Sequence, residues 1–228
     1  MSLYLLINIA TLIFPLLFSF EAKINYYKKM PYVFSSMILV GIPFLIWDVI
    51  ATARGDWSFN SKYCLNLSFL GLPIEEFFFF ITVPYSILFL YETFLVYFPK
   101  RSLKINYNLF IIISLLSSLI VLNFRQKSYT ATLFIVLGFI FILMAVTKPL
   151  YLSHKYFLFF ILFTFVPFFF ENYILTSLPI VSYNPKAIIG IRITTIPLED
   201  FFYSFSLISL YIYFYEFVKE KWKRKTLS

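Results

Sequence analysis

The sequence predicts an all-α fold: a polytopic transmembrane helical bundle of about seven helices, built as two parallel three-helix repeats joined by a linker helix. Three observations predict it. The composition is 61% hydrophobic, 23% aromatic and only 13% charged, with mean hydropathy +0.85. A water-soluble domain of this length could not hide that much apolar surface. Apolar runs near the roughly 20 residues that a helix needs to cross a bilayer occur seven times. Finally, the chain shifted by 124 residues, without gaps, matches itself at rare polar positions.

The helices are expected in order at Leu3–Phe20, Tyr32–Ala53, Glu75–Phe98, Tyr107–Phe124, Tyr129–Val146, Tyr156–Thr176 and Pro197–Val218. The first lacks a basic leader and a small-residue cleavage site, so it reads as a retained span. Pro73 and Pro197 suit the start of helices three and seven, where a missing N–H costs nothing. Under the shift, Pro43-Phe44 meets Pro167-Phe168, and Ser58, Asn60 and Lys62 meet Ser182, Asn184 and Lys186. Pro73, Glu75, Phe77 and Phe78 meet Pro197, Glu199, Phe201 and Phe202, and Tyr91-Glu92 meets Tyr215-Glu216. Apolar composition alone would not align Pro, Asn, Lys and Glu, so the chain reads as a duplicated unit. Residues 1–99 form the first repeat, 100–126 the linker helix, 127–222 the second repeat and 223–228 a basic cytoplasmic tail. A three-helix unit reverses its ends, and the linker restores direction. The repeats are then parallel, and both copies of any motif fall on one side of the membrane.

The formal charge is +8. Thirteen Lys and Arg fall in the loops after helices one, three and five and in the tail, and six on the opposite side: Arg54, Lys62, Arg125, Lys127, Lys186 and Arg192. Short basic loops suit lipid headgroups rather than nucleic acid. The bias places the C-terminus in the cytoplasm and the N-terminus outside, in a multi-pass protein of the cell membrane. Cys64 and His154 are each alone in their type. No intrachain disulfide, thiolate metal site or nucleotide-binding motif is expected, and neither a metal nor a cofactor is assigned.

The chemistry points to one stretch carried twice. Leu72-Pro73-Ile74-Glu75-Glu76-Phe77-Phe78 and Ile196-Pro197-Leu198-Glu199-Asp200-Phe201-Phe202 each put two adjacent carboxyls after a proline, at the mouth of an apolar run. Ionisable groups at the edge of a hydrocarbon span are costly and are functional candidates by default. The bland reading, that they complement the positive end of the helix dipole, accounts for one carboxylate per helix but not for the same order twice. Neighbours on a helix point about 100° apart, so one carboxyl of each pair can face a cleft squarely. Asp48, after Trp47, is a further acid near the end of helix two; Asn172 replaces it in the second half, beside Glu171. A salt-bridge cluster with Arg54 and Arg192 is the alternative role for Asp48 and Glu171. Glu92 and Glu216, 17 residues past the motif glutamates, lie roughly 25 Å along the helix and read as interfacial or packing residues. Aromatic side chains flank the acids: Trp47, Trp57, Phe59, Phe77, Phe78, Tyr183, Phe201, Phe202 and Tyr203. Any one of them suits ordinary packing. Together with crowded carboxyls, of which at least one keeps its proton, they suit acid-initiated carbocation chemistry, in which aromatic faces stabilise the cation.

These two motifs resemble the paired Pro-x-Glu-Glu/Asp signatures of membrane-embedded lycopene cyclases of the heterodimeric type, here as a fused single chain. Trp47-Asp48, Gly55, Trp57 and Phe59 in the first half, and Tyr183-Asn184-Pro185 and Ile189-Gly190-Ile191-Arg192 in the second, are similar as well. The second half departs at Asn172 and lacks a Trp where the first has Trp57. The resemblance implies cyclisation of the linear end groups of lycopene to β-ionone rings without net redox change. Glu75 and Glu199 are then the leading acid/base pair, Glu76 and Asp200 set their protonation, and Asp48 is a third candidate. Trp47, Trp57, Phe77, Phe78, Phe201 and Phe202 would line the substrate. The partners implied are the carotenoid and membrane lipid. Forming two rings would need the substrate to turn round, exchange, or meet a second protomer of a homo-oligomer. A parallel three-plus-one-plus-three duplication is also the layout of small membrane transporters, but those line a central polar path, whereas here polar residues collect at one end. A retinal-type Schiff base needs a lysine within a late helix, and helix seven offers none before Lys219. A non-enzymatic partner subunit would not need both motifs.

Overall fold

The computed structural model describes residues 1–98 and 101–226. Lys100, counted above among the loop cations, and the last two residues of the expected tail lie outside the described residues. Among the described residues there are seven main helices: α1 (Leu3–Phe18), α2 (Tyr26–Arg54), α3 (Ile74–Tyr97), α4 (Tyr107–Asn123), α5 (Ser128–Thr147), α6 (Lys155–Ser177) and α7 (Leu198–Thr226). The fold is nearly all-α, as expected, and the boundaries of most helices fall within about two residues of the sequence reading. Five are long and apolar enough to cross a membrane; α1 and α4, at 16 and 17 residues, are shorter. α2 begins earlier than expected, with a tight turn at Tyr26–Lys29. α7 continues past Val218 through a lysine-rich stretch to Thr226, because Glu, Lys and Arg propagate a helix as well as apolar residues do.

The residues divide into two compact units. The first holds Met1–Ile50, Ser61–Phe98 and the described residues from Leu207 to 226; the second holds Ala51–Asn60 and the described residues from 101 to Ser206. The first unit therefore takes the start of α2 and the end of α7, and the second takes the remaining turns of both.

In the first unit α1 packs along α3 through a ladder of small polar groups. Thr82 Oγ1 donates to Asn8 Oδ1 (2.8 Å), Ser86 Oγ donates to the Thr11 carbonyl (2.8 Å), and Ser19 and Tyr85 share a hydroxyl pair at 2.6 Å. Without a hydrophobic drive between helices in lipid, such bonds and close packing hold them together. α2 carries a π turn at Met37–Gly41, just before Pro43. Pro43 has no N–H, and its ring displaces the carbonyl one turn back, which widens the helix there. Ser36 Oγ beside that turn donates to the Tyr211 carbonyl at 2.7 Å.

In the second unit α4 packs on α5. Phe134, Leu137 and Phe141 form a buried cluster against Phe110, Ile113, Phe202 and Phe205, among others. Gly138 lets the helices approach: a Cβ there would sit 3.5 Å from Ser114 Oγ and 3.5 Å from Ser117 Cβ. Gly138→Leu is expected to overpack this seam and cost about 1–3 kcal/mol, read as a lower melting temperature in detergent.

Short strands connect the helices, β1 (Trp57–Phe59), β2 (Ser68–Phe69), β3 (Leu72–Pro73), β4 (Val181–Tyr183), β5 (Arg192–Ile193) and β6 (Ile196–Pro197). β2–β3 and β5–β6 are hairpins. Leu70 and Gly71 turn the first with positive φ, and Thr194 turns the second at φ 59°. Two successive positive-φ residues, as at Leu70 and Gly71, suit a tight hairpin of the right twist. Within the second unit β1 pairs antiparallel with β4 about Ser58 and Ser182, which the 124-residue shift equates. The flanking bonds obey the same exchange: the Asn60 N–H donates to the Ile180 carbonyl, and the Asn184 N–H to the Asp56 carbonyl. The pairing is self-complementary, as at a local two-fold axis.

Candidate active site

Each acidic pair opens a long helix immediately after a hairpin, and the hairpin fixes the first glutamate. In the first unit the Ile74 N–H donates to the Leu67 carbonyl, and in the second the Leu198 N–H donates to the Ile191 carbonyl, both at 2.9 Å. This closure folds the preceding segment over the helix N-terminus. The Leu65 N–H thereby reaches Glu75 Oε1, and the Ile189 N–H reaches Glu199 Oε1, each at 2.7 Å. The same oxygens accept a hydroxyl: Ser2 Oγ donates to Glu75 Oε1, and Thr130 Oγ1 donates to Glu199 Oε1 at 2.7 Å. Ser2 is the N-cap of α1, so its oxygen also accepts from the Leu5 N–H.

The other oxygen of each glutamate has a different environment. Oε2 of Glu75 and Oε2 of Glu199 are buried and have no hydrogen-bond partner among the described residues. The residues themselves are 0% and 1% exposed. A buried oxygen without a partner is costly and calls for a reason. Two such oxygens, at equivalent positions of two repeats, share one reason.

The second acids differ between the units. In the first, Glu76 accepts from the Tyr4 hydroxyl, and the Asp48 carboxyl lies close enough to act on it electrostatically. In the second, Asp200 accepts at both oxygens, from Tyr129 at Oδ1 and Tyr183 at Oδ2, each at 2.8 Å. Asn172 stands at the position equivalent to Asp48. Glu171 Oε1 beside it is buried with no hydrogen-bond partner among the described residues. All five acids assigned from sequence are buried: Asp48, Glu75, Glu76, Glu199 and Asp200. Of the two cations considered for them, Arg54 forks onto Asp56, and Arg192 Nη1 donates to the Thr195 carbonyl at 2.6 Å.

The aromatic residues separate. Trp57, although it belongs to the first half of the sequence, meets Tyr129 edge-on (centroids 5.0 Å apart) and Tyr183 at 6.3 Å in the second unit. Those two tyrosines stack on each other, so three rings pack together, two of them with their hydroxyls on Asp200. Phe201 meets Phe168 edge-on at 5.0 Å and lines an apolar cleft of about 490 Å³ with Phe165, Val166, Phe169 and Phe170. Phe202 instead packs inward on Phe134 at 5.3 Å. In the first unit Trp47 packs on Phe44 and Phe77 on Phe69, while Phe78 is exposed. Burial, with Glu75 and Glu76 nearby, pushes the Cys64 thiol up to about 11. At neutral pH it stays protonated and is a poor nucleophile.

Sequence reasoning missed the groups that hold the acids: Ser2, Tyr4, Thr130 and Tyr129, and the Leu65 and Ile189 amides. Ser2 was visible as an N-cap before an apolar run. Thr130 hid because the gapless register sets it opposite Leu6. The structure gives it the role of Ser2, one helical turn away.

A family model described as Lycopene cyclase matches residues 1–94 and 126–218. No curated protein and no solved structure matches the chain. The two matched segments take in both acid-bearing motifs and leave α4 between them, so the chain belongs to the lycopene cyclase family as a fused two-part membrane protein.

Proposed function

We propose that this protein converts the linear end groups of lycopene to β-ionone rings by proton-initiated cyclisation. The observation that carries the reading is the pair of unpartnered oxygens, Glu75 Oε2 and Glu199 Oε2. Each is buried and held in place through its sister oxygen, as a group that exchanges protons with a hydrocarbon must be. A hydrocarbon offers no hydrogen bond, so a carboxyl oxygen meant for it is left without one by the protein.

The reaction balances without a redox partner. A carboxyl proton adds to the terminal double bond and leaves a tertiary cation. An internal double bond attacks that cation and closes a six-membered ring. A carboxylate then removes one ring proton, so one proton enters and one leaves. We assign the proton exchange with substrate to Glu75 and Glu199. Glu76, with the Asp48 carboxyl nearby, is assigned to hold a proton beside Glu75, and Asp200, holding two tyrosine hydroxyls, fixes the charge beside Glu199. The packed rings of Trp57, Tyr129 and Tyr183 suit a passing cation. The cleft at Phe201 suits a polyene end, being lined by Phe and Val alone; the rest of a C40 chain would lie in the bilayer. The loop charge bias supports a cytoplasmic C-terminus.

Expression in a lycopene-accumulating bacterial host tests this. Pigment extracts resolved by chromatography are expected to contain γ- or β-carotene. Unchanged lycopene, with the protein detected in the membrane, would sink the proposal.

A further inference from the structure

Asp56 plays no part in the reading above, yet it is among the most buried carboxylates, at 2% exposure. It lies in the loop after α2, within the second unit. Arg54 holds it through a fork: Nε donates to both carboxylate oxygens at 3.0 Å, and Nη2 donates to Oδ2. The same carboxylate accepts from Ser128 Oγ, at the first residue of α5. Its backbone carbonyl accepts from the Asn184 N–H at 2.8 Å, and the Gly55 carbonyl beside it accepts from Asn184 Nδ2 at 3.0 Å. Asp56 thus grips two separate segments, one with its side chain and one with its backbone.

The next residue on each segment reaches the acids. Ser128 precedes Tyr129 and Thr130, which donate to Asp200 Oδ1 and Glu199 Oε1. Asn184 follows Tyr183, which donates to Asp200 Oδ2. A further tie closes the set, because the Ala187 carbonyl accepts from the Tyr129 N–H at 3.1 Å. Nothing in the second repeat replaces Asp56, since Ile180 stands at the equivalent position.

We infer that Asp56, charge-paired with Arg54, is a positioning residue that sets Tyr129 and Tyr183 on the two oxygens of Asp200, so that a loop of the first repeat tunes the acid pair of the second. The inference rests on Glu199 and Asp200 belonging to the site proposed above. Charged hydrogen bonds to a fully enclosed carboxylate are short and directional, and displacing a supporting group by about 1 Å can cost on the order of 100-fold in rate.

The test uses the full-length protein in lipid nanodiscs with lycopene. Asp56→Ala and the milder Ser128→Ala are expected to lower kcat at least about 10-fold, with KM little changed. Residues that act through one another are non-additive. In a Tyr129→Phe, Tyr183→Phe background, Ser128→Ala is therefore expected to cost much less, only what passes through Thr130 to Glu199. Hydrogen exchange gives a readout independent of turnover: amides around 128–132 and 182–186 should exchange faster in Ser128→Ala, and those around 2–8 should not. A full additional loss in the double-Phe background, or wild-type exchange at both segments, overturns the inference. If the wild type forms no ring, the cyclase reading fails and the exchange measurement alone decides the positioning.

Discussion

Glu75→Gln and Glu199→Gln are each expected to cut cyclised carotenoid by about 10²–10⁴-fold, the range for removing a general acid or base. Gln keeps the shape of Glu and its carbonyl oxygen. It can still accept from the Leu65 or Ile189 amide and from the Ser2 or Thr130 hydroxyl that hold the native side chain. What it cannot do is give or take a proton at the second position. The loss should therefore appear in product with the protein still inserted at wild-type amounts, measured by pigment chromatography against a membrane immunoblot. Ser2→Ala and Thr130→Val should lose less, because the amide donor remains. Full product from both Gln variants would remove these glutamates from the chemistry.

The largest effect on stability is expected at the opposite end of α3. Glu92 is 3% exposed and accepts from Lys29 and from Lys219, the latter at 2.8 Å, and from the Tyr215 hydroxyl. The lysine side chains are 21% and 17% exposed. Glu92→Ala leaves the mostly buried Lys29 ammonium without its anion and Lys219 with Glu216 alone, at 3.2 Å, which costs about 3–5 kcal/mol. Lys29→Ala should cost less, because Lys219 still satisfies the carboxylate. Thermal unfolding in detergent measures both, and the folded fraction of Glu92→Ala should cyclise at the wild-type rate. A Glu92→Ala melting curve that overlays the wild type would show that water already satisfies the cluster. The two ends of α3 thus use buried acids differently: Glu75 keeps an oxygen free, whereas Glu92 has its charge matched twice.

Much of this was legible in one dimension. Length and apolarity dictate helices in lipid, since every backbone polar group must be satisfied within its own segment. The repeat was legible because Pro, Asn and Glu are rare in such helices, so their recurrence at one spacing carries information that Phe and Leu do not. The acids were legible for the same reason, because a carboxyl at the edge of a span is expensive.

The partners of those acids were not. Ser2 and Glu75, or Thr130 and Glu199, are about 70 residues apart, and a hydroxyl on an apolar helix has the same local pattern whether it meets an acid or lipid. The role of Asp56 was equally hidden, because an Asp after a Gly in a loop reads as a turn. Its depth, its fork with Arg54 and its hold on Ser128 exist only once the loop of the first repeat folds among segments of the second. The two motifs are alike in sequence; tertiary structure made them different, setting Asp48 near Glu76 and two tyrosine hydroxyls on Asp200. Sequence determined which groups could exchange a proton, because residue type sets that chemistry. Only the fold decided which oxygen was left free to do so, because a free lone pair depends on every donor that the chain brings within reach.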